Sequence, residues 1–415
     1  MTEHTPRFTA ESGFAATEAS FHLTELFYSR TDGRGIIKAG NCVFQRVAAY
    51  PWEEMLGAPH KLIRHPDMPK GVFHLLWDRI KAGKPTGAYV KNRSKSGKYY
   101  WVFALVCPAE GGYISTRLKP SSDLFGTVSA LYSDLLRREK EEGLAPRDSA
   151  EALLAAIRAQ GFSNYNTFQS QALAIEFEAR ATATGQAIEP LQRRFLEMSR
   201  AIAQVGVETA DLTESFKVIR TVPMNMRIIA SRLENAGAAI SAISVNYSQM
   251  LEEMSTWVKT FVDGDACVFA RMRDAILCGQ FLGFASALEH EMMECFETDA
   301  ALYPDSMDAR SEMAELAAHR QKFLDETVAS LVRVEAEAKR FARSVLDMKR
   351  YVTGLSSTRM MCKIESATLG GSGDSLAGIV DQLDACQDEI ESRLSRIVEL
   401  NAVIQANTGM LRASA

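Results

Sequence analysis

The chain lacks several things that would each have narrowed its class. It has no CxxC pair and no histidines at zinc-ligand spacing, and its seven cysteines (Cys42, Cys107, Cys267, Cys278, Cys295, Cys362, Cys386) are odd in number and scattered. That pattern argues against a disulfide framework or a zinc finger and fits a reduced, cytoplasmic compartment with small core cysteines. Nothing in it approaches the roughly 18 consecutive apolar residues of a membrane span, and MTEHTPRFTAESGF lacks the basic start and apolar centre of a secretion signal. A net charge of -5 offers no electrostatic footprint for nucleic acid. A soluble protein is the expectation, and with no Gly-rich ATP lid, GGDEF-like run or His-Asn-Gly constellation to be found, no enzyme is expected.

What is present falls into two textures, and 415 residues are too many for one compact core. Residues 1–20 read as a flexible N-terminal segment. Residues 21–120 carry most of the tryptophans and proline-rich turns and mix short helical and strand signals, the pattern of a small α+β domain. Residues 121–415 are long Ala, Glu, Leu, Arg and Met stretches with apolar residues three and four apart, which predicts an all-α helical bundle.

Within the first texture, Pro69 opens a helix with Phe73, Leu76, Trp77 and Ile80 on one stripe, Asp67 as its expected cap, and Gly83 with Pro85 closing it. Two or three antiparallel strands follow, turning at Ser94 to Lys98. From Tyr99 to Cys107 both alternating faces are apolar, so a sheet covered on both sides is implied. Lys91, Arg93, Lys95 and Lys98 make the turn basic, which suits either a solvated hairpin or an edge touching phosphate.

The segment RHPDMP, Arg64 to Pro69, could be no more than a proline-stiffened helix entry. Its surroundings say more: LGAPHKLIRHPDMPK, a helix containing Trp77, then GKP and VKNRSKSGKYYWV. From about Ile36 to Arg117 this resembles the PAS domains of bacterial aerotaxis receptors. The resemblance implies an antiparallel sheet with flanking helices that binds FAD and reports redox state or oxygen. By motif it carries Asn41, Arg64, His65, Asp67 and Trp77 over to the cofactor pocket or its support. The chemistry of a flavin adds apolar walls from Phe73, Trp77 and Trp101, cationic donors from Arg64, His65 and Lys91, and an amide, Asn41 or Asn92, to exchange a hydrogen bond with the ring. One departure stands out: Thr86 occupies the place after GxP where the family commonly has tryptophan. Haem b is the alternative cofactor, with His65 or His74 as its ligand, and a cofactor-free PAS interaction scaffold is the other.

MCKIESATLGGSGDSLAGIVDQL, Met361 to Leu383, resembles the signalling hairpin tip of chemoreceptors (methyl-accepting chemotaxis proteins) at every spacing. A shortened second copy lies in Met224 to Met254, so hairpins over about 185–262 and 307–410 are expected, packed as a pseudo-dimer within one chain. Ile228 and Leu233 are then expected in one core with Met360 and Ile364, with Gly264 to Asp305 as the return connection. The resemblance implies signalling proteins as partners, a chemotaxis histidine kinase and its coupling protein among them. Ser356, Ala230 and Met361 replace asparagines of that family, and Thr368 replaces an arginine.

Overall fold

The computed structural model describes residues 17–231, 237–262, 264, 267–298, 303, 307–368 and 374–414. Its N-terminal part is an antiparallel five-stranded sheet in the order β2-β1-β5-β4-β3, formed by β1 (Phe27–Asp32), β2 (Ile37–Gly40), β3 (Thr86–Arg93), β4 (Tyr99–Ala109) and β5 (Gly112–Leu118). The last three are the strands legible in the sequence. Helices α1 (Cys42–Ala48), α2 (Trp52–Met55) and α3 (Lys70–Lys81), with a 3-10 turn at His60–Ile63, fill the crossover from β2 to β3.

Local chemistry explains these boundaries. The Asn41 carboxamide caps α1, accepting from the Phe44 N–H at 3.1 Å and from the Tyr28 N–H at 3.0 Å. Helix α3 starts at Pro69 without a side-chain cap. Asp67 is therefore not the expected cap; its carboxylate accepts from Lys91 Nζ at 2.9 Å instead. The apolar stripe of α3 does turn inward, with Leu76 and Ile80 buried, and Gly83 at φ +77° ends it in the left-handed region that favours glycine. At the β3–β4 turn the Ser94 N–H donates to the Lys98 carbonyl at 2.8 Å.

Strand β4 is apolar on both faces because both are covered. Ala104 lies under the crossover helices, while Phe103, fully buried, lies on the opposite face. Hiding a ring of that size contributes roughly 2–3 kcal/mol. The outer face is covered by α4 (Asp123–Glu141), α6 (Tyr165–Thr184), and parts of α10 (Val268–Thr298) and α11 (Ala309–Thr368). Phe125 of α4 meets Trp101 at 5.3 Å between ring centres, and Phe296 of α10 meets Tyr28 at 5.0 Å. Helix α5 (Pro146–Ala159) joins α4 to α6 and packs on α3.

The chain divides into two compact units. One holds the described residues through Glu189 with Phe281–Asp325, and the other holds Pro190–Gln280 with Glu326 onward. The sheet's unit thus extends well past residue 120.

The second unit is a helical bundle of α7 (Pro190–Ile219), α8 (Val222–Ala230), α9 (Gly237–Phe261), α12 (Asp374–Ser414) and the remaining parts of α10 and α11. Neighbours run antiparallel: Trp257 Nε1 donates to the Ser344 carbonyl at 3.0 Å, and Arg393 of α12 meets Asp211 of α7 at 2.7 Å. Both proposed hairpin copies feed one core, with Met226, Ile240, Tyr247 and Met254 from one and Cys362, Ile379 and Leu383 from the other. The residues expected to do so are different ones. Ile228, Met360 and Ile364 are 47%, 53% and 58% exposed, because two positions along a helix is about 200° around it, and Met226 and Cys362 take the inward side. Leu233, the stretch 232–236 and most of the GGSGD turn lie outside the described residues. The expected return connection is largely helix α10.

Candidate functional site

A cavity of about 320 Å³ lies between the inner face of the sheet and the crossover helices. Strand alternation decides its floor. Val90 and Asn92 from β3, Ala104 and Val106 from β4, and Tyr113, Ser115 and Arg117 from β5 share the inward phase, as the cross-strand pairs Ala104 with Arg117 and Val106 with Ser115 require. Helix α3 supplies Phe73, Leu76, Trp77 and Ile80, with the Trp77 and Tyr113 rings edge to face at 5.4 Å. The remaining wall is polar, from Ser29, Arg34, His60, Lys61 and Arg64.

Four cations and no carboxylate line this space among the described residues. Arg117 is 3% exposed. Its Nη2 donates to His60 Nε2 at 2.8 Å and to Ser29 Oγ at 2.5 Å, while Nη1 is buried with no acceptor. Ser115 Oγ is orphaned in the same way. Burial lowers the Arg117 pKa to about 10. Burial, then the Arg117 charge, lowers that of His60 to about 3, so the imidazole is neutral and its Nε2 accepts. A buried guanidinium facing no acid is unfavourable unless something with negative charge or spare acceptors completes it.

Of the nine residues singled out in the sequence, this cavity brings together Arg64, Phe73, Trp77 and Asn92. The Arg64 guanidinium lies 3.7 Å over the Phe73 ring. Asn41 is occupied as a cap and also donates to the Leu26 carbonyl at 2.7 Å. His65 is buried outside the lining, accepts from the Asp67 N–H at 3.1 Å, and has its pKa lowered by burial and by Lys91. Asp67 and Lys91 pair with each other beside it. Trp101 packs on the outer face against Phe125 and Tyr132. Thr86 is buried, accepts from Arg79 Nε at 3.3 Å and does not line the cavity.

His60, Arg117, Ser29, Ser115 and Tyr113 escaped the sequence reading. His60 sits in the quoted LGAPHKLI run, yet only the strand register reveals that Arg117 points at it. The site combines apolar and aromatic walls with cationic donors in one lining, which suits an aromatic ring with an acceptor-rich edge or an attached anion.

Comparison with known proteins agrees with this fold. Residues 41–112 match the PAS fold family model. Over 112 residues the chain is 40% identical to the aerotaxis receptor of Escherichia coli strain K12, a match covering 26% of this chain and 22% of the receptor. The sheet domain matches the PAS fold and is similar to part of that receptor, and a long helical region follows it. Among solved structures, the blue-light activated histidine kinase of Erythrobacter litoralis EL346 overlays at a TM-score of 0.24 and 11% identity, covering 44% of this chain and 58% of the kinase. A score that low carries no argument. No helix among the described residues is long and apolar enough to cross a membrane.

Proposed function

We propose that the PAS domain holds a flavin, FAD, in this cavity and acts as a redox or oxygen sensor in aerotaxis or related energy-taxis signalling. The observation that carries this reading is the buried, acid-free cluster of Arg117, His60 and Ser115, which leaves donors without acceptors beside the Trp77 and Tyr113 walls. A bound flavin supplies a ring whose proton count follows its redox state. Arg117 Nη1 and the Ser115 hydroxyl meet the need of such a ring for donors, and Asn92 offers an amide able to donate or accept. Arg34, Lys61 and Arg64 balance anionic charge on the cofactor.

The sheet is the route outward. Because side chains alternate, a shift of Val90, Ala104 or Ser115 on the inner face moves Tyr89, Phe103 and Ile114 on the outer face, where helices α4, α6, α10 and α11 rest. The output is contact with signalling proteins, a chemotaxis histidine kinase and coupling protein being the natural class, and not turnover of a substrate. Exposed Met224, Ile228, Met360, Met361 and Ile364 in the helical bundle give such contacts an apolar surface. The two hairpin segments sharing one core support an internal pseudo-dimer. Haem is less well served, because neither His65 nor His74 lines the cavity and the Nε2 of His60, which does, is taken by Arg117.

The test is the absorption spectrum of the chain purified from flavin-replete cells. Flavin bands are expected, with retention weakened in Arg64→Ala, Arg117→Met and Trp77→Ala but unchanged in Lys95→Ala. A colourless protein that gains no bands on adding FAD overturns the proposal.

A further inference from the structure

The outer face of the sheet holds a second cluster of reactive groups, in which Cys107 of β4, Glu289 of α10 and His319 of α11 converge. Their donor atoms all lie within 4.8 Å of one another. Cys107 and Glu289 are 1% and 0% exposed, and the His319 side chain keeps 12% of its surface. All three come from the compact unit that contains the sheet.

The cluster is not self-satisfied. Both Glu289 carboxylate oxygens are buried without a hydrogen-bond partner, as is His319 Nδ1. The imidazole nitrogen stands 3.5 Å from Glu289 Oε1, too long and poorly aimed for a strong hydrogen bond. It is instead about the distance that two ligands keep around one tetrahedral zinc, given metal–ligand bonds of roughly 2.0–2.1 Å. The His319 ring is held edge-on to Phe323 at 5.7 Å.

We infer that Cys107, Glu289 and His319 form a binding site for a zinc-class divalent cation that ties strand β4 to helices α10 and α11. A thiolate, an imidazole and a carboxylate are the donor types such an ion takes, with the fourth position left for water. Sequence spacing hides the site because its ligands come from three elements far apart in the chain, with none of the short CxxC or HxxxH intervals that betray a zinc finger. The site shares no residue with the cavity on the inner face, so it stands or falls separately from the flavin.

The full chain, stripped with a chelator and titrated with Co²⁺, tests it. One equivalent is expected to bind, with a thiolate-to-cobalt charge-transfer band and the visible bands of a tetrahedral ion. Cys107→Ser should abolish the charge-transfer band. Glu289→Gln and His319→Gln should each weaken Co²⁺ and Zn²⁺ binding tenfold or more, and Zn²⁺ should raise the melting midpoint of the wild-type chain only. No stoichiometric uptake overturns the inference. So does a charge-transfer band that survives in Cys107→Ser, since another cysteine would then be the ligand. Should Cys107→Ser not fold, the His319→Gln titration decides, and affinity equal to wild type overturns the site.

Discussion

The two faces of one sheet solve opposite electrostatic problems. Toward the cavity, Arg34, Lys61, Arg64 and Arg117 line the space with no carboxylate in its lining, the exposed Arg34 pairing outside it with Asp32. On the outer face two buried acids, unlike Glu289, take partners: Glu176 accepts from Tyr89 Oη at 2.8 Å and from the Ser121 N–H at 2.7 Å, and Glu312 accepts from Tyr28 Oη at 2.7 Å and Arg30 Nε at 2.8 Å. Burial, reinforced by these carboxylates, pushes both tyrosine hydroxyls well above their ordinary pKa. A satisfied buried polar network fixes structure, whereas an unsatisfied one is waiting for a ligand. Around Glu176 and Glu312 the outer face therefore reads as the rigid contact with the helices, and the inner face as the responsive one.

The largest expected break of this contrast is Glu312→Ala. It strands the Tyr28 hydroxyl and Arg30 beneath the helices and should cost about 3 kcal/mol in denaturant unfolding, below the upper range for buried pairs because Arg30 keeps 31% of its side chain in water. A loss below the error of the measurement would show that the outer network does not hold the helices.

Next comes pH. The His60 pKa is lowered from 6.5 to about 3 by burial and by Arg117, so the unfolded chain binds the extra proton in that window. Its contribution is complete above about pH 6.5 and is lost as pH falls toward 3. Roughly 2 kcal/mol of the stability lost between pH 6.5 and about 4 should vanish in His60→Asn, read from urea unfolding at each pH. Identical slopes in the two proteins would remove His60 from the account.

A smaller effect of opposite sign sharpens the contrast. Arg117→Met removes a buried cation that has no acid partner, so the flavin-free protein should gain about 1–2 kcal/mol while flavin retention falls. Destabilisation of the flavin-free form would mean that the His60 and Ser29 contacts outweigh the burial of charge. Smallest is Lys95→Ala, which breaks an exposed pair with Glu54 in which both side chains are nearly half exposed. It should move stability by no more than about 0.5 kcal/mol and leave the cavity untouched, checked by the same unfolding and absorption measurements.

Much of this architecture was readable from local pattern. The α3 stripe ending at Gly83, the hairpin at Ser94 to Lys98 and the doubly apolar β4 each follow from periodicity and turn chemistry within about a dozen residues. Strands β1 and β2 did not stand out, because they are short: β1 is completed by pairing with β5, more than 70 residues away, and β2 by pairing with β1. The hairpin segments found their shared core, yet Ile228, Met360 and Ile364 were placed on the wrong side of it, since a two-residue offset inverts a helix face.

The candidate sites divide in the same way. The sequence by itself determined that Phe73 and Trp77 share a helical face, that RHPDMP enters that helix, and that the strand after it is buried on both sides. These are short-range consequences of steric preference and hydrophobic periodicity. Only the tertiary structure decided that Arg117 meets His60 and Ser29, that Trp101 belongs to the opposite face, and that Cys107, Glu289 and His319 converge. Charge and hydrogen bonding act through space, and their partners are set by strand register and helix docking, to which no short stretch of sequence has access.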